Sequence, residues 1–181
     1  INHLHSRDVR SRVGVVLQDF HIFSGTILVN IRLGDPTITR DMATTAAKTV
    51  NAHGFISSLR DGYDTRLQER GTNLSQGERQ LLAFARVLAA DPEVLVLDEA
   101  TASIDTETEL LIQDGLEKLM ADRTAILIAH RLQTIQQADK ILVLQSGKVI
   151  EYGSPPELLE LKGLYHTLHK LQFQDLKTVP D

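Results

Sequence analysis

The stretch Val94-Leu95-Val96-Leu97-Asp98-Glu99 decides the fold, because an unbroken apolar run leads directly into two carboxylates. Apolar runs without polar alternation are typical of strands buried on both faces, as in parallel sheets covered by helices. In such α/β sheets, ligands gather at the carboxyl ends of the strands. Asp98 could hold Mg²⁺ there, and Glu99 could polarise an attacking water. The other interpretation is a buried strand followed by a solvated acidic turn.

Further strands and helices are predicted on both sides of this stretch. Apolar runs predict strands at residues 13–17, 124–129, 141–144 and 149–150. Composition and the helical spacing of apolar side chains predict helices at residues 41–51, 76–90 and 107–120, and one or two packing helices at 155–173. Strands that alternate with helices predict an α/β fold. Residues 20–91 contain mostly helical signals broken by turns, so we interpret them as a helical insert.

Composition narrows the functional class. The 181 residues carry 19 Lys and Arg against 24 Asp and Glu, a formal net charge of -5, and no long basic run, which argues against nucleic-acid binding. The absence of cysteine excludes disulfides and thiolate metal sites. No apolar run approaches the roughly 18 residues that span a membrane, so no transmembrane segment is predicted.

A second motif begins the helix predicted at residues 76–90. Ser75 and Glu78 match a capping box, in which each side chain accepts a hydrogen bond from the other residue's backbone. Free N–H groups at a helix start, with Gly77 for close approach, also suit an anion. The residues alone are compatible with a simple cap and with an anion site. Gln18 and His130 end two other predicted strands, where they could contact Mg²⁺, water or phosphate or be purely structural.

The order of these segments resembles one family. Gln18, residues 74–78, residues 97–99, residues 102–105 and His130 resemble the Q-loop, signature, Walker B, D-loop and H-loop of ABC transporter ATPases. The resemblance covers nearly the whole chain, and five ordered segments together are far more specific than any one of them.

The resemblance implies ATP and Mg²⁺ as cofactors and gives each residue a role. Asp98 would help to hold Mg²⁺, and Glu99 would be the general base for water. His130 would contact the γ-phosphate, and Gln18 would sense Mg²⁺ and couple hydrolysis to transport. Asp105 would lie across the interface between two such domains.

The signature segment would act on the nucleotide of the opposing domain. Ser75 and Gly77 would bind the γ-phosphate of that ATP. Gln76 and Glu78 depart from the commonest Leu-Ser-Gly-Gly-Gln form of the motif, while Ser75 and Gly77 keep it. The intact Glu99 and His130 argue against a degenerate site that cannot hydrolyse ATP.

The fold implied by the resemblance is that of a P-loop NTPase. A RecA-like parallel-sheet core would comprise residues 1–19 and 92–181, and the inserted helical subdomain would comprise residues 20–91. The chain contains no Gly-x-x-x-x-Gly-Lys-Ser/Thr run, which is the phosphate-binding P-loop. We therefore expect the N-terminal strands and the P-loop to lie before residue 1.

Residues 65–71 resemble the X-loop of the exporter-type members, in which Glu69 would lie near the transmembrane helices. This resemblance predicts a domain at the cytoplasmic face of a membrane. Its partners would be the transmembrane part of the exporter and a second nucleotide-binding domain, identical or different. Two alternatives stay open: a soluble ABC-type ATPase, and a non-catalytic module that only offers its signature face for dimerisation.

Overall fold

The computed structural model describes residues 9, 11–17, 21–98, 105–129 and 135–175, with side chains as far as residue 171. The chain divides into two compact units, Ile1–Ile128 and Ala129–Asp181. The strands are β1 Val13–Val16, β2 Gly25–Thr26, β3 Arg66–Leu67, β4 Val94–Asp98, β5 Thr124–Ile128, β6 Ile141–Gln145 and β7 Lys148–Gly153. The helices are α1 Ile27–Arg32, α2 Arg40–Thr49, α3 Ala52–Ser58, α4 Gln76–Ala89, α5 Thr106–Met120, α6 Pro155–Leu161 and α7 Leu164–Asp175.

A parallel sheet of order β1-β4-β5 forms the centre of the first unit. The three strands are paired in register, with Val16 opposite Leu97 and Leu97 opposite Leu127. Leu95 and Leu97 of the central strand are buried and join the hydrophobic core. The structure thus confirms the α/β class that the apolar run of β4 predicted.

The core lies on one face of this sheet, whereas the sequence predicted burial on both faces. Leu95 and Leu97 pack in the same cluster as apolar side chains of α4 and α5. On the other strands, Val15 is 48% exposed, Ile126 57% and Ile128 52%. The apolar character of these side chains is therefore not explained by packing within the described residues.

The predicted helical insert contains α1, α2, α3 and the whole of the long helix α4. Thr26 and Thr39 cap α1 and α2 by accepting hydrogen bonds from backbone N–H groups three residues on. The sequence did not predict the two-residue strands β2 and β3, which pair antiparallel with Gly25 opposite Leu67. This short ribbon joins the segment before α1 to the segment that carries Glu69.

The second unit is built from an antiparallel pair of strands and two helices. The runs at 141–144 and 149–150 form β6 and β7, which pair with each other rather than in a parallel sheet. Ser146 and Gly147 between them both have positive φ, 50° and 74°, the backbone conformation of a two-residue hairpin turn. The Ser154 N–H donates to Glu157 at the start of α6, which lowers the pKa of that carboxyl to about 2.

In the described part of the chain, no helix combines the length and the apolar character that crossing a bilayer requires.

We expect the exposed apolar side chains on this face of the sheet to make the purified chain prone to self-association. We expect the double substitution Ile126→Thr and Ile128→Thr to reduce association, because it removes apolar surface while retaining β-branched side chains suited to a strand. Sedimentation velocity over a concentration series would measure the change. The matched control is Leu161→Gln, at a helix residue that is 65% exposed and lies outside the sheet. Equal association of the double variant and the control would contradict the prediction.

Candidate functional site

The carboxyl ends of three neighbouring strands meet at one edge of the sheet. Asp98 is the last residue of β4 and lies opposite Ile128, the last residue of β5. On the other side of β4, Leu97 lies opposite Val16, the last residue of β1. The chain continues from these strands to Gln18, Glu99 and His130, which lie outside the described residues. The register therefore gathers at one edge the strand ends that precede the predicted catalytic groups.

The start of α4 is a capping box, as predicted. The Glu78 N–H donates to Ser75 Oγ at 3.2 Å, and the Ser75 N–H donates to Glu78 Oε2 at 2.7 Å. Ser75 and Gln76 are exposed and Gly77 is buried. Because a hydroxyl is both donor and acceptor, Ser75 can cap the helix and still donate its own hydrogen to an anion. The cap and the anion site are thus compatible uses of the same residues.

Asp105 caps the next helix, α5. Its Oδ1 accepts a hydrogen bond of 2.9 Å from the Thr108 N–H. Hydrogen bonds from the backbone and then the side chain of Thr108 lower the pKa of Asp105 below the ordinary value of a carboxyl. The side chain is exposed, so Asp105 presents a stable negative charge at the surface beside the helix start.

The starts of these two helices border a cleft of about 630 Å³. Ser75 and Glu78 of α4 line one wall, and Thr108 and Leu111 of α5 line another. Lys48 at the end of α2 also borders it. The structure thus brings together the signature segment and the helix that Asp105 caps, although about thirty positions separate them in the sequence.

A polar network around the buried Asn30 joins α4 to residues 21–30, and it was not predicted from the sequence. Arg86 of α4 donates to the Asn30 carbonyl at 2.9 Å, to Asn30 Oδ1 at 3.1 Å and to the His21 carbonyl at 2.8 Å. Burial lowers the pKa of Arg86 to about 10. The guanidinium also lies 5.8 Å from the centre of the Phe23 ring. A cation within the otherwise apolar stretch 81–89 of α4 was the available signal, although it did not identify the partners.

Asn30 completes this network. It is 1% exposed, and its Nδ2 donates to the carbonyls of Phe23 and Thr26 at 2.8 and 3.1 Å. Its Oδ1 accepts a hydrogen bond of 2.9 Å from the Phe23 N–H as well as the one from Arg86. The segment 21–26 is therefore fastened to the long helix α4 by side chains at two positions.

The described residues contain no group of three or more His, Cys, Asp or Glu side chains that could hold a metal ion. In nucleotide sites, Mg²⁺ is usually held by one or two carboxylates together with phosphates and waters. Asp98, at the open end of a buried strand, is a suitable carboxylate of this kind.

Comparison with known proteins identifies the family. A family model described as ABC transporter matches residues 1–102, more than half of the chain. The chain belongs to the ABC transporter family. The P-loop NTPase fold expected from the ordered motifs is likewise borne out by a solved structure of this family.

That structure is of a bacterial Atm1-family ABC exporter with ATP bound. It matches 95% of this ABC domain and 30% of its own chain, with a TM-score of 0.85 and 42% sequence identity. An uncharacterised ABC transporter ATP-binding protein of Bacillus subtilis, YknV, is 51% identical over 96% of this chain and 29% of its own length. The putative multidrug export ATP-binding/permease protein YgaD of the same species is 45% identical over 95% of this chain and 30% of its own. The chain thus spans about 30% of each of these relatives.

Among the residues predicted to form the site, the structure describes six: Ser75, Gln76, Gly77, Glu78, Asp98 and Asp105. The signature residues and Asp105 lie at the starts of two helices that border one cleft. Asp98 lies at the strand edge. Their roles toward ATP remain predictions.

The Asn30 network makes a quantitative prediction about the stability of this ABC domain. Asn30→Ala would leave the partly buried Phe23 N–H and one Arg86 donor without an acceptor, so we expect the free energy of unfolding to fall by about 2–4 kcal/mol. Urea denaturation would measure the change. Asn73→Ala is the control, because Asn73 makes two hydrogen bonds but is exposed. A loss no larger than that of the control would show that the network does not stabilise the fold.

Proposed function

We propose that this chain forms part of a domain that, in the whole protein, hydrolyses MgATP at a junction with a second such domain and thereby drives export of a substrate across a membrane. The observation that carries the proposal is the common edge at which β1, β4 and β5 end. A nucleotide at that edge would lie within reach of the residues that follow all three strands. The exporter relatives and the ATP-bound exporter structure support the same function.

At this edge, each residue of the chain would have a separate role toward the nucleotide bound by the same domain. Asp98 would hold Mg²⁺, which supplies charge neutralisation for the phosphates when bound. Glu99 would accept a proton from the attacking water, His130 would contact the γ-phosphate, and Gln18 would respond to the occupied site. Positioning and electrostatics provide most of the rate in phosphoryl transfer, so each group acts by being held in place.

The signature segment and Asp105 would complete the nucleotide site of the opposing domain. Ser75 and the free N–H groups at the start of α4 form a donor surface suited to a phosphate. Gln76 and Glu78 flank Gly77 on this surface, and Glu78 is held by the capping box. Asp105 would approach the partner domain from the start of α5. Whether the partner is identical or different does not alter this arrangement.

A membrane-embedded partner would contact the surface beside Glu69. The Arg70 N–H donates to the Ile22 carbonyl at 3.1 Å, so the Glu69 segment lies against the chain that leads to Phe23. Phe23 is 48% exposed, and Val29 of α1 and Leu33, which follows the last residue of α1, are 52% and 55% exposed. An apolar patch beside a carboxylate suits a short amphipathic helix. This geometry supports a position at the cytoplasmic face of the membrane.

The absence of a P-loop run from these 181 residues predicts weak nucleotide binding by the isolated chain. Backbone N–H groups and the lysine of that loop provide most of the contacts to the β- and γ-phosphates. Isothermal titration with MgATP should therefore detect no tight binding and no turnover. The comparison is a longer polypeptide of the whole protein that includes a P-loop. Micromolar affinity of the isolated chain would contradict this part of the proposal.

Glu99→Gln tests the catalytic assignment in the full-length protein. The variant should bind MgATP but lose turnover by about 100-fold or more, because removal of the general base prevents activation of water. It should also accumulate as a closed dimer that gel filtration can detect in the presence of ATP. The matched control is Glu93→Gln, since the Glu93 side chain is exposed and, among the described residues, pairs with Arg12. Near-normal turnover of Glu99→Gln would remove Glu99 from this role.

A further inference from the structure

A side chain at position 77 would collide with another residue of the same chain. A Cβ atom built on Gly77 would lie 2.2 Å from Thr108 Cγ2, a separation that no folded protein tolerates. The next nearest atoms, Ile112 Cδ1 and Thr108 Cβ, would lie at 3.6 Å, which is ordinary contact. A single methyl group, the Cγ2 of Thr108, is therefore what demands glycine at this position.

Backbone conformation does not demand glycine at Gly77. Gly77 does not have a positive φ, and it lies in the first turn of a regular helix. Alanine is the better helix former, so local preference alone would favour a side chain here. The close approach of Thr108 is the physical reason for glycine at position 77 that the described residues show.

Thr108 is itself held by the cap of α5. Its N–H donates to Asp105 Oδ1 at 2.9 Å, and the Glu109 N–H donates to the Asp105 carbonyl at 3.0 Å. A continuous series of contacts thus runs from Asp105 through Thr108 to Gly77. Gly77 lies within the capping box that fixes Ser75.

Two further contacts prevent α5 from sliding along its neighbours. A Cβ on Gly115 would lie 2.9 Å from the Val50 carbonyl oxygen, so the two backbones are in close contact. Asn51 Nδ2 donates to the Leu111 carbonyl at 3.0 Å and to Asp114 Oδ2 at 2.6 Å. These contacts hold the middle of α5 against the junction between α2 and α3.

We propose that Thr108 is a positioning residue that ties Asp105 to the signature segment, so that both approach the partner domain as one rigid unit. This inference rests on the proposed function, because it assumes that the two segments face a second nucleotide-binding domain. Gly77 then serves two purposes, since it admits a phosphate and also accommodates the methyl group of Thr108.

The test is a second-site rescue in the full-length protein. We expect Gly77→Ala to lower kcat for ATP by about 10- to 100-fold, because the new Cβ forces apart two segments that must be placed to within about 1 Å. Thr108→Ser removes only the methyl group and keeps the hydroxyl. The double variant Gly77→Ala with Thr108→Ser should therefore regain most of the turnover of Thr108→Ser alone.

Two matched controls isolate the methyl group. Gly77→Ala combined with Thr108→Val, compared with Thr108→Val alone because valine also lacks the hydroxyl, should show no rescue, since valine keeps a methyl group at the same place. Gly54→Ala is the control for the glycine substitution itself, since a Cβ on Gly54 of α3 meets nothing within 4 Å. It should leave turnover unchanged.

The outcomes separate this inference from the proposed function. If the wild type and Gly54→Ala hydrolyse ATP while the serine double variant stays as impaired as Gly77→Ala, Thr108 does not act through Gly77. Full turnover of Gly77→Ala alone would also overturn the inference. If the wild type hydrolyses no ATP, the proposed function fails. Thermal unfolding of the same variants then tests whether Thr108 contacts position 77. Only the serine double variant should regain the melting temperature that Gly77→Ala loses.

Discussion

The in-register parallel pairing of β4 with β1 on one side and β5 on the other is the constraint on which the rest of the molecule depends. Parallel strands must enter at one edge and leave at the opposite edge, so their carboxyl ends lie side by side. The buried Leu95 and Leu97 of the central strand anchor this arrangement in the core. The chemistry at the edge is thus a consequence of hydrogen-bond register and of burial at two leucines.

Helix α4 carries that constraint outward to the helical part. A Cβ on Gly14 of β1 would lie 2.6 Å from Val87 Cγ1, so the end of α4 lies close against the sheet. Arg86 fastens the same helix to segment 21–26 through neutral acceptors, without a carboxylate. The start of the helix presents Ser75. One helix therefore connects the sheet, the segment 21–26 and the signature segment.

Local patterns were predictable because their partners are near in sequence. Ser75 and Glu78 are three residues apart, so the capping box could be recognised without knowledge of the fold. The strand at β4 and the helix α5 followed from apolar runs and helical spacing. The hairpin of β6 and β7 was misassigned to a parallel sheet, although Ser146-Gly147 offers a turn signal, because apolar content alone does not distinguish the two kinds of strand.

The sequence by itself determined the family, the order of the motifs and the residue types available for chemistry, since these depend on identity and spacing along the chain. Only the tertiary structure decided which distant residues meet. Arg86 and Asn30 are 56 positions apart, and Gly77 and Thr108 lie on different helices, so no local pattern encodes either contact. The physical reason is that close packing and buried hydrogen bonds are properties of surfaces brought together by folding.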